Sequence, residues 1–222
     1  MNDPITVTKL YLASTNPGKL REFQLAARER GLAVEPLPDI RNLPLCVEDR
    51  DTFEANARKK ALHYAAFAEG MVFADDSGIC VDALGGAPGV YSARYAGPEA
   101  TDEENNRRLM QELARSSQSG SSQALRAPIA GPDSWGYPAH YVCVVAVAEG
   151  RAIRLVTEGQ VSGLLIENPR GTGGFGYDPY FFYPPLGRTF AELSAESKFA
   201  VSHRGIAFRK LLDALAPRPA PH

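Results

Sequence analysis

Cysteine, histidine and long apolar runs are scarce in this chain, and each scarcity removes a class of protein. The 222 residues include three cysteines, Cys46, Cys80 and Cys143. The number is odd and no C-x-x-C pair occurs, which argues against a disulfide framework or a zinc site and suits a reducing compartment. The four histidines are far apart, with no H-x-x-x-H spacing. The longest apolar run, Tyr141 to Ala148, has the length of a strand and falls far short of a membrane span. The first residues, with Asp3 and Pro4, lack the basic-then-apolar order of a signal peptide. The net charge is −2 and no basic stripe is present, so nucleic acid is not the expected partner. These absences point to a cytoplasmic protein that does not bind membranes.

What remains is an ordinary globular composition, 44% hydrophobic and 23% charged, in a chain long enough to build a real core as a single domain over 1–222. Val7 to Ala13 reads as a strand, Ser14 to Gly18 as a turn, and Lys19 to Arg30 as a helix stopped by Gly31. A second helix is expected over Thr52 to Glu69, with Asp51 or Thr52 as its cap. A short buried strand, Met71 to Ala74, is expected to end in a turn at Asp75-Asp76-Ser77-Gly78. Thr101 with Glu104 forms a capping-box signature for a third helix to about Ala114. Ser116 to Pro138, rich in Ser, Gly, Pro and Gln, reads as a long surface loop inserted into the domain. Two strands, about Ala139–Ala148 and Ile153–Val161, are joined in hairpin style at Glu149-Gly150. A last helix runs from Ser202 to about Ala216, followed by a frayed tail over 217–222. Helices mixed with strands, some of them hairpin-connected, predict an α/β fold with a mixed sheet.

Several groups of residues carry possible chemistry. Ser14-Thr15-Asn16-Pro17-Gly18-Lys19 lies between a strand and a helix N-terminus, where backbone N–H groups and the helix dipole favour an anion. The same residues are also consistent with a plain cap in which Asn16 bonds its own backbone. Leu20 stands where a P-loop would place its metal-binding hydroxyl, which disfavours a P-loop kinase or motor. In an extended segment Asp75 and Asp76 face opposite ways, so one can hold Mg²⁺ or activate water while the other braces the backbone; an Asx-turn is the alternative. Glu48, ahead of the second helix, is a candidate second metal carboxylate, since magnesium takes one or two carboxylates plus substrate phosphates. Gly173-Gly174-Phe175-Gly176-Tyr177-Asp178 would bring backbone N–H groups close to a ligand, with Phe175 either stacking on a ring or packing in the core. Lys198, His203 and Arg204 flank the last helix, where two cationic side chains oppose the macrodipole. That pattern suits either an anionic or polar ligand or an exposed basic cap.

Taken in order, Leu12 to Lys19, Ala74 to Gly78, Gly85 to Tyr95, Gly174 to Pro179 and Ser202 to Gly205 resemble the motifs of the non-standard purine nucleoside triphosphate pyrophosphatases, the inosine triphosphatase-like or dITP/XTP pyrophosphatase enzymes. The resemblance runs from about Val7 to Leu215. It implies a Mg²⁺-dependent enzyme, an elongated mixed α/β fold with two lobes around a central nucleotide cleft, a homodimer, and cleavage of ITP, dITP or XTP to the nucleoside monophosphate and pyrophosphate. By resemblance Ser14, Thr15, Asn16, Pro17, Gly18 and Lys19 wrap the phosphates. Asp76 is then the general base and, with Glu48, a metal ligand, and Ser77 touches substrate. Phe175, Gly176, Tyr177, Asp178, Lys198, His203 and Arg204 bind the nucleoside end and part of the phosphate chain, and Lys60 matches a common family lysine.

The chain departs from the family in two places. The family often reads Phe-x-Glu-Asn-Ala at the second helix, whereas Phe53-Glu54-Ala55-Asn56-Ala57 has its glutamate one place early, a turn of roughly 100° around a helix. The 116–138 stretch is also longer than the family pattern. Three other readings compete: a septum-inhibitor-type pyrophosphatase acting on modified pyrimidine triphosphates, a nucleotide-binding regulator without catalysis, and a phosphatase, for which no Cys or Asp nucleophile signature is present.

Overall fold

A computed structural model describes residues 8–28, 30–118, 126–129 and 135–215. Its elements are β1 (Lys9–Leu12), α1 (Pro17–Arg28), β2 (Ala33–Pro36), α2 (Phe53–Ala65), β3 (Met71–Val81), α3 (Asp102–Gln118), β4 (Ala127–Pro128), β5 (Trp135–Glu149), β6 (Ala152–Leu165), β7 (Phe181–Tyr183), β8 (Arg188–Thr189), α4 (Ala195–Val201) and α5 (His203–Leu215). The sheet has eight strands in the order β2-β1-β3-β5-β6-β7-β8, with β4 paired to β5. The pairings β1–β2 and β1–β3 are parallel, and β6–β7 and β7–β8 are antiparallel. The architecture is therefore the mixed α/β sheet expected.

Several elements depart from expectation. The Asp75-Asp76-Ser77-Gly78 turn does not form, because β3 continues through it to Val81. A Cβ on Gly78 would stand 2.4 Å from the Gly89 carbonyl oxygen and from Ser92 Oγ, so this glycine permits a close approach within a strand and does not mark a bend. Helix α2 stops at Ala65, four residues before Glu69, as Phe67 and Ala68 donate back to Tyr64 and Ala65 at three-residue spacing. The expected loop 116–138 is occupied at both ends: α3 extends to Gln118 and β5 begins at Trp135. Residues 119–125 and 130–134 of that stretch, and the tail 217–222, lie outside the described residues.

Other local signals hold. Gly31 takes a φ of 67°, and the bonds Leu32 N–H to Ala27 and Gly31 N–H to Arg28 close α1 as a Schellman motif. Thr101 and Glu104 exchange backbone and side-chain bonds at the start of α3. The β5–β6 turn falls at Gly150, whose φ is 56°.

The chain divides into two compact units. The first comprises 1–76, 143–159 and 204–222, the second 77–142 and 160–203. In the first, Phe23 of α1, Phe73 of β3 and Phe208 of α5 form one aromatic cluster with centroid separations of 5.0, 4.7 and 5.6 Å. Cys143 to Ala148 are all buried, the pattern of a strand covered on both faces. In the second, Ile79, Leu109, Leu113, Tyr141, Phe181 and Phe190 belong to a core of their own.

Candidate active site

Unit one gathers most of the charged residues singled out in the sequence. At the β1–α1 turn, Asn16 Oδ1 accepts from the N–H groups of Gly18 and Lys19 at 2.8 and 3.2 Å, and Ser14 Oγ accepts from Asn16 N–H at 3.2 Å. Asn16 is therefore the cap of a helix whose first residue is Pro17. The turn is pre-shaped by its own side chains, and Lys19 is carried on the first turn of α1.

Phe73 and Asp75 share the face of β3 that meets α1 and α5. Lys19 Nζ lies 2.8 Å and Arg204 Nε 3.5 Å from Asp75 Oδ2, and Arg204 Nη1 lies 2.7 Å from Glu22 Oε2. Arg204 and Asp75 are both buried. Burial pushes the Asp75 carboxyl up, but Lys19, Arg204 and Lys60 outweigh it and hold the group well below the usual carboxylate range. The cationic charge expected to oppose the helix dipole at Arg204 is thus met by two carboxylates inside the protein.

Asp76 faces the other way, toward α2. Asn56 Nδ2 donates to Asp76 Oδ2 at 3.0 Å. Burial, then the nearby charge of Glu48, push Asp76 up to about 6 against the opposing hydrogen bond from Asn56. Lys60 Nζ lies 2.5 Å from Glu48 Oε1 and donates weakly to the Asp75 carbonyl at 3.4 Å. Burial works against the Lys60 ammonium, yet Glu48 and Asp75 raise its affinity for the proton overall. Ser14, Thr15, Glu48 and Lys60 line one cavity of about 550 Å³, together with Arg41 and Cys46, which the sequence reading did not single out. Lys59 instead pairs with Asp49 at the surface, and Glu54 with Arg58 at 2.7 Å. The displaced family glutamate is therefore a solvent-facing helix residue, and Ala55 stands at the family position.

Unit two holds the glycine-rich turn. Gly174 and Gly176 take φ values of 73° and 63°, and a Cβ on Gly174 would lie 2.1 Å from Asp178 Oδ2. That oxygen accepts from Phe175 N–H at 2.8 Å and from Lys198 Nζ at 2.6 Å, and Lys198 Nζ also stands 4.5 Å from the Phe175 ring centroid. Tyr177 donates its hydroxyl to the Ser92 carbonyl at 2.8 Å. From α3, Asp102 Oδ2 accepts from Gly176 N–H at 2.6 Å and Asn106 Nδ2 donates to Gly176 O at 3.0 Å. His203, buried, stacks on Tyr141 with centroids 4.5 Å apart and planes 7° apart. Ser77 is half-buried on β3. Asp178 and Tyr177 are thus buried and hydrogen-bonded within the protein, while Phe175 and Gly176 keep part of their surface open. Sequence spacing could not have revealed Asp102, Asn106 or Asn56, whose partners lie 74, 70 and 20 residues away.

Residues 10–214 match the Ham1 family. The chain belongs to that family. It is 41% identical over 209 residues to a dITP/XTP pyrophosphatase of Shouchella clausii, covering 94% of this chain and 97% of that protein. It is 44% identical over 212 residues to one of Ralstonia nicotianae, covering 93% and 96%. A solved Ham1 protein from Coxiella burnetii superposes with a TM-score of 0.76 at 36% identity, covering 93% of this chain and 98% of that one. Among the described residues of this Ham1 chain, no three His, Cys, Asp or Glu side chains are grouped as metal ligands. Nor is any described helix long and apolar enough to cross a membrane.

Proposed function

We propose that this Ham1 chain is a nucleoside triphosphate pyrophosphatase that converts ITP, dITP and XTP to the monophosphate and pyrophosphate and so clears non-standard purines from the nucleotide pool. The observation that carries the reading is the cavity that brings the anion-favouring Ser14–Thr15 turn together with Glu48 and Lys60. The names of the relatives support the same reading, and a family match that runs unbroken over 10–214 supports treating the two units as one pyrophosphatase domain.

Glu48 and Asp76 fit Mg²⁺ as the resident ion. They are oxygen donors, Asp76 is raised above an ordinary carboxylate by burial first and by the nearby Glu48 charge second, and Mg²⁺ asks for one or two carboxylates plus substrate phosphates. Bound there, the ion would offset phosphate charge and support the leaving pyrophosphate. The remaining work belongs to the chain. Ser14 to Lys19 and Lys60 receive the phosphates. Asp76, largely ionised at pH 7.5 yet more basic than an ordinary carboxylate, takes the proton of the water that attacks the α-phosphorus. A positioned base of this kind contributes about 10²–10⁴-fold, and alignment and charge stabilisation supply the larger part. Phe175, Gly176, Lys198 and His203 serve the nucleoside end and Ser77 touches substrate, with Tyr177, Asp178 and Arg204 holding the surrounding frame. Donors near His203 would favour the 6-oxo group shared by hypoxanthine and xanthine over the amino group of adenine, since a buried polar mismatch costs about 10⁴-fold. A reducing cytoplasm suits the three free thiols, and a homodimer follows the family pattern.

The test is a panel of ITP, dITP, XTP, GTP, ATP and a modified pyrimidine triphosphate with Mg²⁺, in which pyrophosphate is measured against orthophosphate. Pyrophosphate and monophosphate from ITP and XTP, with little from ATP, are expected. Diphosphate with orthophosphate, or intact nucleotide throughout, would overturn the reading.

A further inference from the structure

We propose that Asn56 is a positioning residue that sets Asp76 and the Glu48–Arg50 segment in one arrangement, so that the two carboxylates are held ready for a single divalent cation. The inference deepens the pyrophosphatase reading and rests on it. Asn56 lies on the first turns of α2 and has no exposure to solvent. Its Nδ2 donates to Asp76 Oδ2 at 3.0 Å and to the Arg50 carbonyl at 3.2 Å, while its Oδ1 accepts from Arg50 N–H at 2.9 Å. One planar amide thus reaches three partners. Two hydrogens on the same nitrogen and an acceptor beside it are what such a clamp requires, and among uncharged side chains only Asn and Gln supply them.

The need for a clamp follows from where the two carboxylates sit. Asp76 is on the central strand β3 and moves with the sheet. Glu48 is on the irregular stretch between β2 and α2, whose neighbours Leu45 and Val47 are 86% and 66% exposed. Regular backbone pairing cannot fix that stretch. Side chains do so instead: Lys60 holds Glu48, Lys59 holds Asp49, and Asn56 takes both backbone groups of Arg50. Asn56 also donates to Asp76, and so ties this stretch to the strand. Hydrogen-bonded partners of ligating carboxylates typically alter metal affinity or activity by about 10- to 100-fold when removed.

The experiment follows pyrophosphate release from ITP across a Mg²⁺ titration in wild type, Asn56→Ala, Asn56→Leu and Thr52→Ala. Mn²⁺ binding to each nucleotide-free protein is followed by electron paramagnetic resonance. Asn56→Ala should raise the Mg²⁺ concentration for half-maximal rate and weaken Mn²⁺ binding by about 10- to 100-fold, and lower kcat. At saturating Mg²⁺ its KM for ITP should stay within about twofold of wild type. Asn56→Leu, close to Asn in volume, should behave alike and guards against a collapse of the Ala variant. Thr52→Ala removes the cap of the same helix; it should melt earlier yet keep wild-type kcat and metal dependence. A folded Asn56 variant with wild-type metal dependence overturns the role, and so do parallel losses in Thr52→Ala. A wild type that releases no pyrophosphate from ITP removes the pyrophosphatase reading itself, while the Mn²⁺ titration still judges Asn56 separately.

Discussion

Lys19 Nζ stands 2.8 Å from Asp75 Oδ2, and the carboxylate that it meets has no exposure to solvent. Asp75 also faces Arg204, so two cations rest on one buried anion. Removing one partner of a buried pair leaves the other charge uncompensated, which typically costs about 3–5 kcal/mol. Asp75→Asn should therefore lower stability by roughly that amount at pH 7 and raise KM for the triphosphate as Lys19 loses its anchor. The pH dependence has a defined sign. Asp75 titrates below its ordinary value of 3.8 in the folded chain, so it contributes stability above that value and loses it as pH falls through the folded one. Chemical denaturation of wild type and variant between pH 7 and pH 2.5 should show the two curves converging below about pH 4; a constant offset would remove the assignment.

Asp76 has the opposite sign. Its folded value of about 6 lies above the ordinary 3.8, so between these values the folded state binds the proton more tightly and stability falls as pH rises. Above pH 6 the whole penalty is present, about two units at 1.36 kcal/mol each, or roughly 2–3 kcal/mol. Asp76→Asn should abolish turnover while leaving ITP binding measurable. In EDTA at pH 7.5 it should melt higher than wild type, and the gain should vanish near pH 4. Near-normal pyrophosphate release by the variant would take the base role away from Asp76.

Gly174 tests the second unit. Its φ of 73° favours glycine, and an added Cβ would fall 2.1 Å from Asp178 Oδ2, the atom that holds both Phe175 N–H and Lys198. Gly174→Ala must either strain the backbone, at about 1–3 kcal/mol, or push Asp178 off its partners. Both routes move Phe175 and Lys198. Thermal melting should fall and kcat/KM for ITP should drop at least about tenfold, the cost of small misplacements at a reacting centre. Wild-type values for both would show that the turn is not coupled to the nucleotide.

The sequence was readable wherever local chemistry decided the structure. Asn16, Gly31, and Thr101 with Glu104 each satisfy backbone groups within a few residues, and the expected cap, stop and capping box are present. It misled where tertiary contact overrode a local signal. Asp75-Asp76-Ser77-Gly78 has turn composition, yet Gly78 is there to let Gly89 and Ser92 approach a strand. It was silent on elements too short to show a period: β2 has Val34 as its single buried residue, β7 and β8 have three and two residues, and α4 has seven. Most site residues were named by resemblance. The chain alone could not show that Asp75 and Asp76 divide between α1 and α2, or that Arg204 is spent on Glu22 and Asp75, because those partners come from distant elements.

Glu54 closes the question raised by the shifted family motif. It is half exposed on α2 and pairs with Arg58 one turn on, whereas Asn56, two residues later, turns inward to Asp76. An exposed pair of this spacing contributes about 0.3–0.5 kcal/mol, and Glu54 is not among the residues that line the cavity. Glu54→Gln should accordingly change melting by a degree or so at most and leave kcat, KM and the Mg²⁺ requirement within about twofold of wild type. A tenfold loss of activity in that variant would mean that the glutamate reaches the phosphates from its displaced position, and the assignment of Glu48 as the second carboxylate would have to be given up.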